Sequence, residues 1–497
     1  MEKTTFLAVD IGAGSGRVLC GSMGEERLFV KEVYRFPNGM TERDGRLTWD
    51  IHRIFANVSE GLRQGAEASG FSVHSIGIDT WGVDFGLLDA EGALLDFPFA
   101  YRDSRNEGAM AEYLNLLPKE SIYGLTGIQF LQFNSLFQLY AIKTFNPEML
   151  ERAENLLFIP DLLNYFLTGI KSTEFTFATT SQMFNPWKMA WEEDLFQAMD
   201  VPSSLMLPVA ETGTYLGKIR EGRKTPARMA GVPVISVASH DTAAAVAAVP
   251  ALDRDWAFIS SGTWSIMGVE RETPVISPHS LRLNFTNEGG VGGTFRLCKN
   301  ISGLWLLEEC RRAWSGIKKY DYEELIKMAE SAPPFYSLID PDWTGFLNPE
   351  NMPKAVDAYC RLTRQPSPQN HGAYVRCILE SLALKYMVVL SEIRELHSSP
   401  IRRIHLIGGG VRNTLLCRFT ADATGLPVTA GPAEATAVGN LLVQGLGTDV
   451  FQSIEEMRAV VRRSFSVKEY RPVKTNNWEA ASLRFRGMMQ HAAGLSS

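Results

Sequence analysis

Short apolar runs that end in a carboxylate and give way to small residues recur along this chain. The clearest is FLAVDIGAGSGRVLCGSM, residues 6–23. Leu7, Ala8 and Val9 read as a buried strand ending at Asp10. Gly12, Gly14, Ser15 and Gly16 allow a tight turn with bare N–H groups, the requirement for holding phosphate oxygens. The glycine spacing is similar to that of a dinucleotide loop, but such a loop opens a helix, whereas residues 17–20 and 28–34 continue as strands, so the stretch is a hairpin. A second hairpin follows the same design: strand 256–260, turn Ser261-Gly262-Thr263, strand 264–269. Either one alone is most often an ordinary turn; the pair suggests two related halves.

Between the hairpins, residues 50–67 carry Ile51, Ile54, Phe55, Val58 and Leu62 at helical spacing behind Asp50 as N-cap. Strand 75–79 empties into Asp79-Thr80-Trp81-Gly82-Val83-Asp84-Phe85, and 87–95 turns back over Glu91-Gly92. Ligands collect at such carboxyl ends of strands in open α/β sheets. Tyr101, Arg102, Asp103 and Arg105 suit either a polyhydroxylated ligand or a solvated loop. Residues 173–182 are Thr/Ser-rich without catalytic spacing, and 183–230 read only as loop and helix. Strand 234–237 again leads to a carboxylate, Asp241, within Ser239-His240-Asp241-Thr242, before a helix of small residues opening at Ala243. The helix dipole favours an ionised Asp241; taken alone the residue reads as an N-cap.

Beyond the second hairpin, 284–293 reads as a flexible glycine loop, and Lys299 to Trp305 leads into a helix through Arg312. Residues 374–396 form a helix whose apolar face is core packing. Strand 404–407 meets Gly408-Gly409-Gly410 and a helix over 414–424, then a short strand 427–429. An Ala/Gly-rich helix, 433–446, is expected to close the C-terminal unit.

At 497 residues the chain exceeds one core, so two domains are expected, split near 245–252 into 1–247 and 248–497. With 45% hydrophobic and 21% charged residues it is globular, and a net charge of -7 gives no reason to bind nucleic acid or an anionic membrane. The apolar run at the N-terminus is too short for a secretory signal, and no segment is long enough to span a bilayer. Six cysteines without CxxC spacing exclude a zinc cluster and fit a reducing cytoplasm. Cys360 and Cys377 flank a Pro/Ser/Asn-rich segment, and whether they pair stays open.

An Asp-bearing hairpin matched by a Ser/Gly/Thr hairpin resembles the sugar kinase, Hsp70 and actin superfamily. With AVDIGAGSGRV, SIGIDTWGVDF, YRDSR, GIQFLQFNSL, VASHDTAAAV, SSGTWSIMG, TNEGG, KNISGLWLLEE and GGGVRNTLL in this order, the chain resembles the FGGY family of carbohydrate kinases nearly end to end. The resemblance implies an α/β fold of two ribonuclease H-like domains about an interdomain cleft, hinged near 245, the first holding the sugar and one phosphate hairpin and the second the other hairpin and adenosine. It implies ATP and a ketose as partners, Mg2+ as cofactor, and an undetermined oligomeric state. Asp241 would be the general base, with Gly82, His240, Asp241, Thr242 and Asn300 lining the sugar site. Ala13, Gly14, Ser15, Gly16, Arg17, Thr263 and Gly409 would bind ATP, and Asp10 would hold the metal through water. Where the resemblance places an ATP-contacting Gln after GLWLL, this chain has Glu308, which cannot donate as an amide does. DTWGVDF and KNISGLWLL favour L-rhamnulose as the sugar, with L-fuculose or xylulose as alternatives. A non-catalytic ATPase of this fold would need the hairpins but not SHDT.

Overall fold

The computed structural model describes residues 4–222, 227–473 and 476–495. Contacts divide the chain into two compact units. One comprises Met1–Pro250, Glu270–Leu297 and Ala435–Phe465; the other comprises Ala251–Val269, Cys298–Glu434 and Ser466–Ser497. The division at 247/248 leaves 270–297 and 435–465 in the second half, whereas their contacts place them in the first unit.

The first unit is built on a six-stranded sheet in the order Thr214–Lys218, Pro233–Ser236, Ser75–Thr80, Thr4–Ile11, Ser15–Met23, Leu28–Pro37. Its three middle strands are parallel and the flanking ones antiparallel. Because strand side chains alternate between faces, each face is covered separately. Leu7, Val9, Ile11, Ile76 and Ile78 share a core with Ile54, Val58 and Leu62 of the helix Ile51–Ala68, whose first turn is capped by Asp50 accepting from Arg53 N as expected. On the other face Gly77 meets Asn440 and Gln444 of the helix Ala435–Leu446. A Cβ at Gly439 would lie 1.7 Å from the Ala244 carbonyl oxygen, so a side chain at 439 would push apart this helix and the Asp241–Ala247 helix. A second, aromatic core gathers Tyr113, Phe137, Phe158, Phe177 and Phe196.

The second unit repeats the plan. Trp256–Ser261, Arg403–Ile407 and Val428–Ala430 are parallel, with Trp264–Arg271 antiparallel on one side and Lys468–Tyr470 on the other. The helix Thr414–Thr424 has the predicted bounds, and the long helix runs His371–Leu396, three residues longer at its start because Asn370 caps it through Ala373 N.

Two regions differ from the sequence expectation. The glycine loop at 284–293 contains a fully buried strand, Thr286–Gly289. Distant groups hold it: Asn287 accepts from Val275 N and donates to the Gly127 carbonyl, and Gly289 N donates to Thr179, bonds that no local pattern reveals. Within 183–230 lies the sheet-edge strand Thr214–Lys218, masked in the sequence by the register shift between Tyr215 and Gly217. All six cysteines are free thiols. Among the described residues no helix is long and apolar enough to cross a membrane.

Candidate active site

Three carboxylates converge at the ends of the parallel strands of the first unit. Asp10 is in register with Asp79 on the adjacent strand, and Thr80 bridges in parallel to His240, the residue before Asp241. Asp10 Oδ2 accepts from Arg17 Nε at 3.0 Å and Nη2 at 2.7 Å, so the structure sets Arg17, predicted on the phosphates, against the predicted metal residue. Asp79 is fully buried and its Oδ2 accepts from Asn440 at 2.6 Å. Burial, then the negative charges of Asp10 and Asp241, hold Asp79 well above the usual carboxylate range. Asp241 is enclosed by protein atoms but keeps 34% of its side-chain surface open. Burial and the Asp10 charge push it up to about 6, offset in part by hydrogen bonds from Thr242. It opens the Asp241–Ala247 helix as the first helical residue; His240 occupies the cap position and makes no side-chain cap bond.

His240 lies between two groups of partners. Its Nε2 is 3.5 Å from Asp241 Oδ1, and a Cβ on Gly82 would lie 3.2 Å from the same nitrogen, so Gly82, His240, Asp241 and Thr242 form one wall. Its Nδ1 is 3.3 Å from Nη2 of Arg296, which pairs with Glu288 at 3.1 Å. The stretch before Asp241 is fastened by Glu174, fully buried. Its Oε2 accepts from Ser239 N at 3.1 Å, Ser239 Oγ at 2.7 Å, Thr176 Oγ1 at 2.6 Å and Phe177 N at 3.2 Å. Its Oε1 accepts from Thr176 N at 2.9 Å and Thr212 Oγ1 at 2.6 Å. Sequence inspection missed Glu174, Glu288 and Arg296, and passed over Asp79 as a site residue.

The first turn is closed by Gly12 N donating to the Ser15 carbonyl at 2.9 Å. Gly14 at its tip is exposed, and a Cβ there would meet nothing within 4 Å, leaving the turn accessible beside Ala13 and Ser15. Gly16 serves packing, because a Cβ there would sit 2.1 Å from the Phe36 ring. Asp103 and Arg105 are internal: Asp103 accepts from Leu47 N and Arg105 N, and Arg105 donates to Gln138. Asp84 is buried beneath Trp49 and Trp81, whose indoles both donate to its Oδ2 at 2.6 and 2.9 Å; burial still pushes it up to about 6.

In the second unit the turn at Gly262 and Thr263 is closed by Gly262 N donating to the Trp264 carbonyl at 2.8 Å. The carbonyls of Gly262 and Thr263 accept from Leu304 N and Trp305 N, tying the turn to the start of the helix Trp305–Trp314. Gly410 packs on Ser261, which brings the glycine loop against the strand that leads into this turn; Gly409 and Thr263 are both exposed. Asn300 lies in the strand Phe295–Ser302. Glu308 pairs with Arg311: both its oxygens accept from Arg311 Nη1, at 3.0 and 2.9 Å, while Arg311 Nη2 donates to the Tyr320 carbonyl.

Among the described residues no three His, Cys, Asp or Glu side chains converge to ligate one ion directly. The donor set nevertheless fits a hydrated divalent cation, since Asp10 lies beside two further carboxylates and Asp79 Oδ1 has no hydrogen-bond partner.

Comparison with known proteins bears on this site. Residues 5–247 match the model of the FGGY family of carbohydrate kinases, N-terminal domain, and 257–448 that of the C-terminal domain. The chain is 46% identical to a rhamnulokinase of Bacteroides thetaiotaomicron over 98% of its length and 100% of the relative's. It is 40% identical to a rhamnulokinase of Bacillus subtilis, covering 94% and 95%. A gluconate kinase from Lactobacillus acidophilus shares the fold with a TM-score of 0.81 over 100% of this chain and 99% of that one, at 15% identity.

Proposed function

Because the chain belongs to the FGGY family of carbohydrate kinases, with the two-domain α/β fold of that family, we propose that this sugar kinase transfers the γ-phosphoryl group of ATP to L-rhamnulose, giving the 1-phosphate. The observation that carries the chemistry is the placement of Asp241, whose recessed but open carboxylate stands beside His240 and Gly82 at the strand ends. The sugar follows from similarity to rhamnulokinases along almost the whole chain. A cytoplasmic location belongs to the same reading.

Phosphoryl transfer has a loose transition state with charge on the transferring oxygens, so the enzyme positions, neutralises and removes one proton. Asp241 accepts the proton of the attacking hydroxyl; near pH 7 a carboxyl that titrates at about 6 is ionised yet more basic than an ordinary aspartate. Gly82, His240, Thr242 and Asn300 orient the sugar. Backbone N–H groups of the 13–16 turn, with Thr263 and Gly409, hold the nucleotide. Mg2+ delivered with ATP neutralises phosphate charge, and Asp10, steadied by Arg17, is the residue to hold it through water.

A coupled ADP-release assay across rhamnulose, fuculose, xylulose, ribulose and glycerol tests the reading. Rhamnulose gives the highest kcat/KM; a higher value for fuculose or xylulose would reassign the sugar and leave the kinase class intact.

A further inference from the structure

We propose that Arg296, held by Glu288, locks His240 as the neutral Nε2–H tautomer, so that His240 enters the reaction as a fixed hydrogen-bond donor to a sugar oxygen. The inference rests on the reading of the 240–242 wall as the sugar site and extends it to two residues outside the motifs.

A guanidinium has five N–H donors and no acceptor. Arg296 is fully buried, its Nε is spent on the Gly289 carbonyl at 3.0 Å, and its Nη2 is 3.3 Å from His240 Nδ1. A nitrogen facing an obligate donor at that distance must present its lone pair, so the ring proton resides on Nε2. The competing arrangement, Nδ1–H donating to Glu288 Oε2, spans 3.6 Å, beyond hydrogen-bond reach. Doubly protonated imidazolium is opposed as well, since burial and the Arg296 charge hold His240 well below its usual range. Glu288 supplies the counter-charge that lets a bare guanidinium remain in the interior.

The consequence lies on the opposite edge of the ring. Nε2–H points to where Asp241 Oδ1 stands 3.5 Å away and where Gly82 contributes no side chain. At 3.5 Å the Asp241 carboxylate does not consume this donor, leaving it for an oxygen of the sugar. His240 is thereby excluded as a second proton acceptor, and Asp241 is left as the single base of that wall. Arg296 is a positioning residue: it acts on the sugar through His240.

The test is long-range 1H–15N correlation of the histidine rings in the 15N-histidine-labelled full-length protein at pH 7.5, with His240→Gln identifying one of the eight histidines. The His240 ring shows an unprotonated Nδ1 and a protonated Nε2, unchanged in Asp241→Asn. An Nδ1–H tautomer or an imidazolium in the wild type overturns the proposal, and a tautomer that switches in Asp241→Asn transfers control from Arg296 to Asp241. Arg296→Lys retains the tautomer. Arg296→Met loses it and raises the sugar KM about tenfold, the loss of roughly one hydrogen bond, with a smaller change in kcat; a folded Arg296→Met with unchanged tautomer and KM also overturns it. Should Arg296→Met not fold, the wild-type and Asp241→Asn spectra decide. Failure of Asp241 as base registers in kcat alone and leaves these spectra as they are.

Discussion

Asp10 and Asp79 stand opposite each other at the ends of adjacent parallel strands, but only one of them has a cation. Asp10 is gripped by Arg17, whereas Asp79 meets the neutral amide of Asn440 and is pushed well upward by burial and by its acidic neighbours. Burial and its acidic neighbours thus make Asp79 easier to protonate than an ordinary carboxyl, while Asp10 keeps its cation.

The pH dependence follows. Asp241 titrates at about 6 in the folded protein and near 3.9 when unfolded. For activity the ionised form is the base, so kcat/KM for the sugar falls on the acid side with an apparent pKa near 6. For stability the sign is opposite. A folded pKa above the unfolded one contributes stability that is complete below about 4 and lost as pH rises through about 6. Thermal midpoints of wild type and Asp241→Asn measured from about pH 4 to pH 8 should converge at the acid end, diverge with the variant higher as pH rises to about 6, and run parallel above that.

Asp241→Asn should fold and keep a midpoint at pH 7.5 equal to or above wild type, because it removes a carboxylate that is penalised by burial and by the Asp10 charge. Its kcat should fall by about two to four orders of magnitude with a much smaller change in ATP KM. Steady-state kinetics decide the matter: a variant with most of the wild-type kcat would show that Asp241 is not the base. Asp84 is a poor substitute, since two indoles already donate to its Oδ2.

Replacing Asp10 by Ala should weaken Mg2+-dependent turnover while sugar binding, followed by tryptophan fluorescence, stays nearly intact. A large loss of sugar affinity would reassign Asp10 to the sugar site or to the support of Arg17.

Glu174→Ala strands six donors in a buried site. Each buried donor left without a partner costs about 1–3 kcal/mol, a loss readable in urea unfolding. Glu174→Gln keeps the shape and should cost less, but with the Ser239 bonds weakened kcat should drop more than tenfold if the fastening of 239–241 aligns the base. Unchanged kcat in a folded Gln variant would leave Glu174 with stability alone.

How much of this was legible in the chain depends on how far each bond reaches. The helix Thr414–Thr424 was found to the residue because Asn413 caps it through Leu416 N and Gly425 ends it in the left-handed region, both local marks. Asp10 and Asp241 stood out because a strand ending in a carboxylate before small residues is a local pattern too. Glu174 and Arg296 did not, for their partners Ser239 and His240 lie 65 and 56 residues away, and a single buried charge inside a Thr-rich or glycine-rich stretch leaves no periodic trace. The strand Thr286–Gly289 was hidden for the same reason, its composition reading as a loop while its bonds run to Gly127 and Thr179.

The contact between Gly439 and the Ala244 carbonyl also sets an order of assembly during synthesis. The helix Ala435–Leu446 covers one face of a sheet whose first strand is Thr4–Ile11, and the first unit takes in residues as late as Phe465. A ribosome must therefore deliver nearly the whole 497-residue chain before this sheet can be sealed, and until then Gly77 and its neighbours stay uncovered. Domains commonly complete themselves from the N-terminus as they emerge; this one waits for its C-terminal third, so a nascent chain arrested near residue 250 should be held by chaperones and yield to protease where the released protein resists.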